Sequence, residues 1–123
     1  MLPETASRKA ARAAAILFLP ALAGVIGGEL APPSTNGIPI WDKALHFTAY
    51  FILSLLATLS LEARRATFLA VGSLIVLGGV LEIVQGFIGR DMELGDEIAN
   101  TLGALAGAAV AWAILMAVNS RRR

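Results

Sequence analysis

Apolar residues in this chain gather into long blocks with few charges inside them. Four such blocks predict helices at about 13–28, 43–61, 66–88 and 97–119. A transmembrane helix needs about 20 mostly apolar residues, so each block is read as a membrane crossing. Pro20 falls within the first, which lipid-embedded helices tolerate when neighbours cover the freed carbonyl. Arg8, Lys9 and Arg12 ahead of Ala21-Leu22-Ala23 have the look of a signal peptide, but the apolar run continues past that point. Pro32-Pro33 and Asn36-Gly37 then mark a loop. The predicted fold is all-α, a four-transmembrane-helix bundle forming one domain over residues 1–123.

Composition agrees with the pattern. Of 123 residues, 57% are hydrophobic and only 15% charged, against about a quarter charged in soluble domains. With no cysteine there is no disulfide framework, thiolate metal site or cysteine nucleophile. A net charge of +1, with the basic residues in short clusters, excludes nucleic-acid binding.

Those clusters predict orientation. Arg8, Lys9, Arg12, Arg64, Arg65, Arg121, Arg122 and Arg123 all flank crossings on one side of a four-pass chain. The other side receives only Lys43 and Arg90. Positive residues remain in the cytoplasm, so both termini are expected there, with the acidic side outside.

That topology brings polar residues from three helices to one depth. His46 lies about 6 Å below Asp42, and Tyr50 about 12 Å below it, on one face of the second helix. On the third, Glu82 and Gln85 fall about 9 and 5 Å below its outer end. Asn100 sits about 6 Å below Asp96 on the fourth. All belong to the outer third of a bilayer core about 30 Å thick. A carboxylate facing lipid is costly, so Glu82 is expected to turn inward toward His46 or Arg90. Asp96, Asn100, Gly103 and Gly107 share one helical face, and the Gly-x-x-x-Gly pair permits close packing. Gly78 and Gly79 offer a similar approach.

Simpler roles compete for several of these residues. Asp42 and Asp96 stand where helices begin and suit N-caps. Trp41 suits an interface belt, and Asn100 suits interhelical bonding. No G-x-S-x-G, H-E-x-x-H or phosphate-cradling glycine loop is present. One histidine with scattered carboxylates falls short of a metal-ligand pattern, and no cofactor is expected. His46, Glu82 and Tyr50 do suit acid–base chemistry; no nucleophile stands out, so a hydrolysis is expected to use water.

The ordered residues resemble a known family. Asp42-Lys43, His46-Phe47 and Tyr50 resemble the first motif of the VanZ-like membrane proteins, and Glu82 with Gln85 is similar to its E-x-x-Q helix. Arg90 and then Asp96, Asn100, Gly103 and Gly107 resemble the closing R, D-x-x-x-N-x-x-G-x-x-x-G stretch. The likeness covers about residues 41–107. The name-giving member is associated with resistance to teicoplanin, a lipid-tailed glycopeptide acting outside the cell membrane. The resemblance therefore implies a bacterial cytoplasmic-membrane protein whose outward pocket takes a lipid-tailed envelope molecule at the outer leaflet.

In that reading His46 and Glu82 perform proton work or head-group recognition, and Lys43 and Arg90 pair with its anionic groups. Asp42, Tyr50, Gln85, Asp96 and Asn100 complete the ligand-binding set. Membrane lipids are the expected surroundings and partners. The rival reading is a non-catalytic scaffold subunit whose polar residues only hold helices together.

Overall fold

The computed structural model describes residues 6–31, 39–61 and 63–121. These residues form four helices: α1 (Ala6–Leu30), α2 (Pro39–Leu61), α3 (Arg64–Phe87) and α4 (Leu94–Ser120). All four are long and apolar enough to cross a membrane. The protein is an all-α, four-span membrane bundle. The predicted Pro-Pro and Asn-Gly loop lies outside the described residues, as do the side chain of Trp41 and the last two arginines.

The helices outrun the apolar blocks. α1 starts at residue 6 rather than 13, because Ala, Lys and Arg in its first two turns are strong helix formers despite their polarity. It also continues past Gly28 through Glu29 and Leu30. α2 starts at Pro39, whose fixed φ and missing N–H suit a first helical position. Asp42 is therefore in the first turn instead of at the cap. α4 starts at Leu94 with Glu93 as N-cap, so Asp96 too lies inside the first turn, and no side chain of Glu93 closes that cap. Neither aspartate is the N-cap that its position in the sequence suggested.

α2 is the centre of the bundle, touching α1, α3 and α4. Its closest neighbour is α4, which runs parallel to it, Gly103 lying against Phe47 and Gly107 against Phe51. A Cβ on Gly103 would run into the carbonyl oxygen of Phe47, and one on Gly107 into that of Phe51. The missing side chains let the two backbones meet, as the Gly-x-x-x-Gly spacing predicted. Gly78 leaves room for side chains instead: its Cβ would lie 2.8 Å from Glu97 Oε2 and 3.0 Å from Asn100 Nδ2.

Large apolar side chains such as Ile16, Phe68, Phe87 and Met116 point outward. Tyr50, Leu53, Val71, Leu74 and Ala104 form the apolar core, and buried around it are His46, Ser54, Thr58, Glu82, Gln85, Asp96 and Asn100. A greasy exterior over a partly polar interior is stable where the solvent is lipid and the polar groups can bond one another. The parallel pairing gathers the C-terminal ends of α1 and α3 and the N-terminal ends of α2 and α4 at one end of the bundle. That end holds most of these ionisable groups.

Candidate functional site

The turn from α3 to α4 sets one wall of the site. Gly89 adopts φ +85°, and the Arg90 N–H returns 2.9 Å to the Gln85 carbonyl. This Schellman-type ending, with glycine in the left-handed position, throws the Arg90 side chain across to α1. There its Nη1 donates to the carbonyls of Gly28 at 3.2 Å and Glu29 at 3.0 Å. Gln85 Nε2 donates to the same Glu29 carbonyl at 2.8 Å. The last carbonyls of a helix have no partners within it and carry its negative dipole end. Gln85 and Arg90 satisfy them and fasten α1 to α3.

Glu82 and Lys43 serve similar ends. Glu82 Oε1 accepts the backbone N–H of Glu93 at 2.7 Å, so a carboxylate of α3 satisfies the entry to α4 that Glu93 leaves open. Its other oxygen, Oε2, is buried without a hydrogen-bond partner among the described residues. Lys43 Nζ lies 2.8 Å from Glu93 Oε2 and 3.5 Å from Asp96 Oδ1. Sequence reasoning aimed Glu82 at His46 or Arg90 and Lys43 at a ligand. In the structure each binds the α3–α4 turn.

His46 occupies the middle, 6% exposed. Its Nδ1 lies 2.9 Å from Asn100 Oδ1 and 3.2 Å from Glu29 Oε1. The Asn100 amide is oriented by Nδ2 donating to Glu97 Oε2 at 3.4 Å, which leaves Oδ1 toward the imidazole. Both oxygens facing Nδ1 are acceptors, so Nδ1 carries a proton. Tyr50, wholly buried, donates its hydroxyl to Glu29 Oε2 at 3.3 Å. Glu29 thus links α1 to two residues of α2.

The opposite edge of the ring faces carboxylates. Nε2 lies 3.9 Å from Asp42 Oδ1 and 3.8 Å from Asp96 Oδ2, too far for hydrogen bonds. Ligand atoms of Asp42, His46 and Asp96 all fall within 4.8 Å of one another. The metal-ligand grouping that the sequence did not reveal is present in space.

Beside the histidine a cavity of about 460 Å³ opens between α1 and α2. Ala21, Gly24, Val25 and Gly28 of α1 and Leu45, Ala49 and Ile52 of α2 form its apolar length. Glu29, Asp42, His46, Gln85 and Arg90 line the rest. Four of the expected site residues, Asp42, His46, Gln85 and Arg90, border this space. Lys43, Tyr50, Glu82, Asp96 and Asn100 do not, though all five belong to the surrounding network.

Two participants escaped the sequence reading. Glu29 follows two glycines just beyond the first apolar block, where it reads as a loop acid, yet it is buried and bonded. Glu97 lies in the first turn of α4, where an acid favours the helix dipole, and it also orients Asn100.

No protein-family model matches this chain, and no solved structure does so. An uncharacterised protein of the fission yeast Schizosaccharomyces pombe is 41% identical over 70 residues, which cover 54% of this chain. The match spans 43% of the yeast protein's length. The bacterial setting expected above gains no support from a eukaryotic relative.

Proposed function

We propose that this protein binds a lipid-tailed molecule in the cavity between α1 and α2, at the depth of the lipid head groups. The cavity itself supports this reading: a long apolar wall ends in a cluster of ionisable and amide side chains. Its volume of about 460 Å³ is within the range of about 300–1,000 Å³ typical of ligand pockets. The tail lies along Gly24, Val25, Leu45 and Ile52, and the polar head meets Glu29, His46 and Arg90. Eight basic residues on the side of the termini against two on the other support a reading with the termini in the cytoplasm and this cavity in the outer leaflet. The resemblance to VanZ-like proteins adds lipid-tailed glycopeptides such as teicoplanin to the ligands worth testing. In a catalytic version of the reading, His46 moves protons at the head group.

The scaffold reading applies to particular residues. Glu82, Gln85 and Arg90 bond backbone groups of neighbouring helices and are explained by that work. It leaves the cavity unexplained.

Gly24 provides the test, because a Cβ there meets nothing within 4 Å. Gly24→Leu should fill the cavity without disturbing the bundle. Native mass spectrometry of the purified protein should show lipid retained by the wild type and lost from this variant, at unchanged thermal stability. Equal retention in both would refute the reading.

A further inference from the structure

The carboxylates at this end of the bundle outnumber the cations. Glu29, Glu82 and Asp96 are buried, and Asp42 and Glu97 lie beside them, half-buried. Arg90 is directed at backbone carbonyls, and Lys43 lies at the edge between Glu93 and Asp96. Buried carboxylates without enough partners are costly in a low-dielectric setting. Asp96, only 2% exposed, meets Lys43 Nζ with its Oδ1 at 3.5 Å and turns its Oδ2 to within 3.8 Å of His46 Nε2, beyond hydrogen-bond distance.

The histidine is prepared for a further role. Asn100 Oδ1 faces Nδ1 at 2.9 Å with Glu29 Oε1 beside it at 3.2 Å, so an ion that displaces any proton on Nε2 finds that nitrogen turned toward Asp42 and Asp96. Metal-binding histidines are set up in this way, the other ring N–H being donated to a carboxylate or carbonyl that fixes tautomer and orientation. From this arrangement we infer that His46 Nε2, Asp42 and Asp96 bind one divalent transition-metal ion, with Glu29 and Asn100 positioning the imidazole.

The spacing suits such an ion. Two ligand atoms about 2.1 Å from one zinc ion lie about 3.4 Å apart at a tetrahedral angle and at most about 4.2 Å apart. The 3.8 and 3.9 Å separations from Nε2 fall inside that limit. Asp42, whose side chain is 41% exposed, has the freedom to close the remainder. Lys43 approaches the Oδ1 edge of Asp96, so the ion occupies the Oδ2 edge facing the ring. One imidazole with two carboxylates and no sulfur selects zinc, manganese, iron(II) or cobalt(II) over copper(I) or an all-oxygen calcium cage. Asp42 and His46 also line the cavity, which provides room for a fourth ligand from solvent. This inference stands apart from the lipid reading, since it uses none of the apolar wall.

Full-length protein stripped with a chelator and held in detergent should bind one Zn²⁺ per chain by calorimetry. Bound Co²⁺ should show visible ligand-field absorption. Asp42→Asn, at the exposed edge where folding is not at stake, should remove the absorption and weaken zinc binding. Glu29→Gln should weaken it about 10- to 100-fold, the usual loss for an outer partner. Asp91→Asn, an exposed acid elsewhere in the turn, should change nothing. Wild-type protein that binds neither ion, or that binds them no better than a folded Asp42→Asn variant, overturns the inference.

Discussion

Glu29 Oε1 lies 3.2 Å from His46 Nδ1, joining the last turn of α1 to the second turn of α2. Asn100 Oδ1 approaches the same nitrogen from α4 at 2.9 Å. Three helices therefore agree on where one proton sits. Because His46 is the only histidine in the chain, nitrogen-15 spectra of its ring need no assignment. They should show Nδ1 protonated at neutral pH. Replacing Glu29 and Asn100 by leucine together removes both acceptors and should shift the proton toward Nε2. A bare Nδ1 in the wild type contradicts the arrangement.

The seam between α2 and α4 gives a stability prediction. Gly103→Ala and Gly107→Ala each press a methyl group into a backbone carbonyl of α2. Overpacking of this kind costs about 1–3 kcal/mol, and here a rigid backbone must yield rather than a side chain. Gly24→Ala adds the same methyl where nothing lies within 4 Å and should be nearly neutral. Thermal unfolding in detergent distinguishes the positions. Equal midpoints for all three variants would mean that α2 and α4 do not meet as described.

Much of this was legible in the chain because lipid imposes simple rules. A block of apolar residues long enough to span is a helix, and small residues four apart mark a tight crossing, as at Gly103 and Gly107. Asp42, His46, Glu82, Gln85 and Asn100 were placed at a common end by counting residues along antiparallel helices. Direction around each helix was not available in that way. Depth alone cannot tell that Glu82 turns to the Glu93 N–H while Glu29 turns to His46. Hydropathy also ended the first helix too soon, since it registers greasiness and not helical propensity, and Glu29 was lost with that last turn. The grouping of Asp42, His46 and Asp96 depends on two helices lying side by side, a fact no local pattern contains.

Arg90 should control the end of α1. Its guanidinium fills carbonyls of Gly28 and Glu29 and brings a cation to the negative end of the helix dipole. Arg90→Ala leaves those carbonyls without that partner and should cost about 1–2 kcal/mol, near the upper range for a partly buried cation at a helix C-terminus. Arg90→Lys should recover only part of it, because one ammonium cannot reproduce the planar fork. Hydrogen exchange of the last turn of α1 should quicken in the alanine variant, with α4 protected as before. Exchange that quickens equally in every helix would point to global loosening instead.

Glu82 separates structural work from chemistry. Its carboxylate accepts the Glu93 N–H at the start of α4, a task that needs an acceptor oxygen and no proton transfer. Glu82→Gln retains such an oxygen and should unfold at nearly the wild-type temperature. Glu82→Leu leaves the N–H without its acceptor, at a cost of about 1–3 kcal/mol where the group is out of reach of water. The two variants should therefore differ in thermal midpoint while both keep the cavity, whose lining does not include residue 82. Lipid retained by wild type should be retained by Glu82→Gln as well. If Glu82→Gln matched wild type in stability yet lost a reaction that His46→Ala also abolishes, Glu82 would belong to the chemistry, and its bond to Glu93 would be incidental.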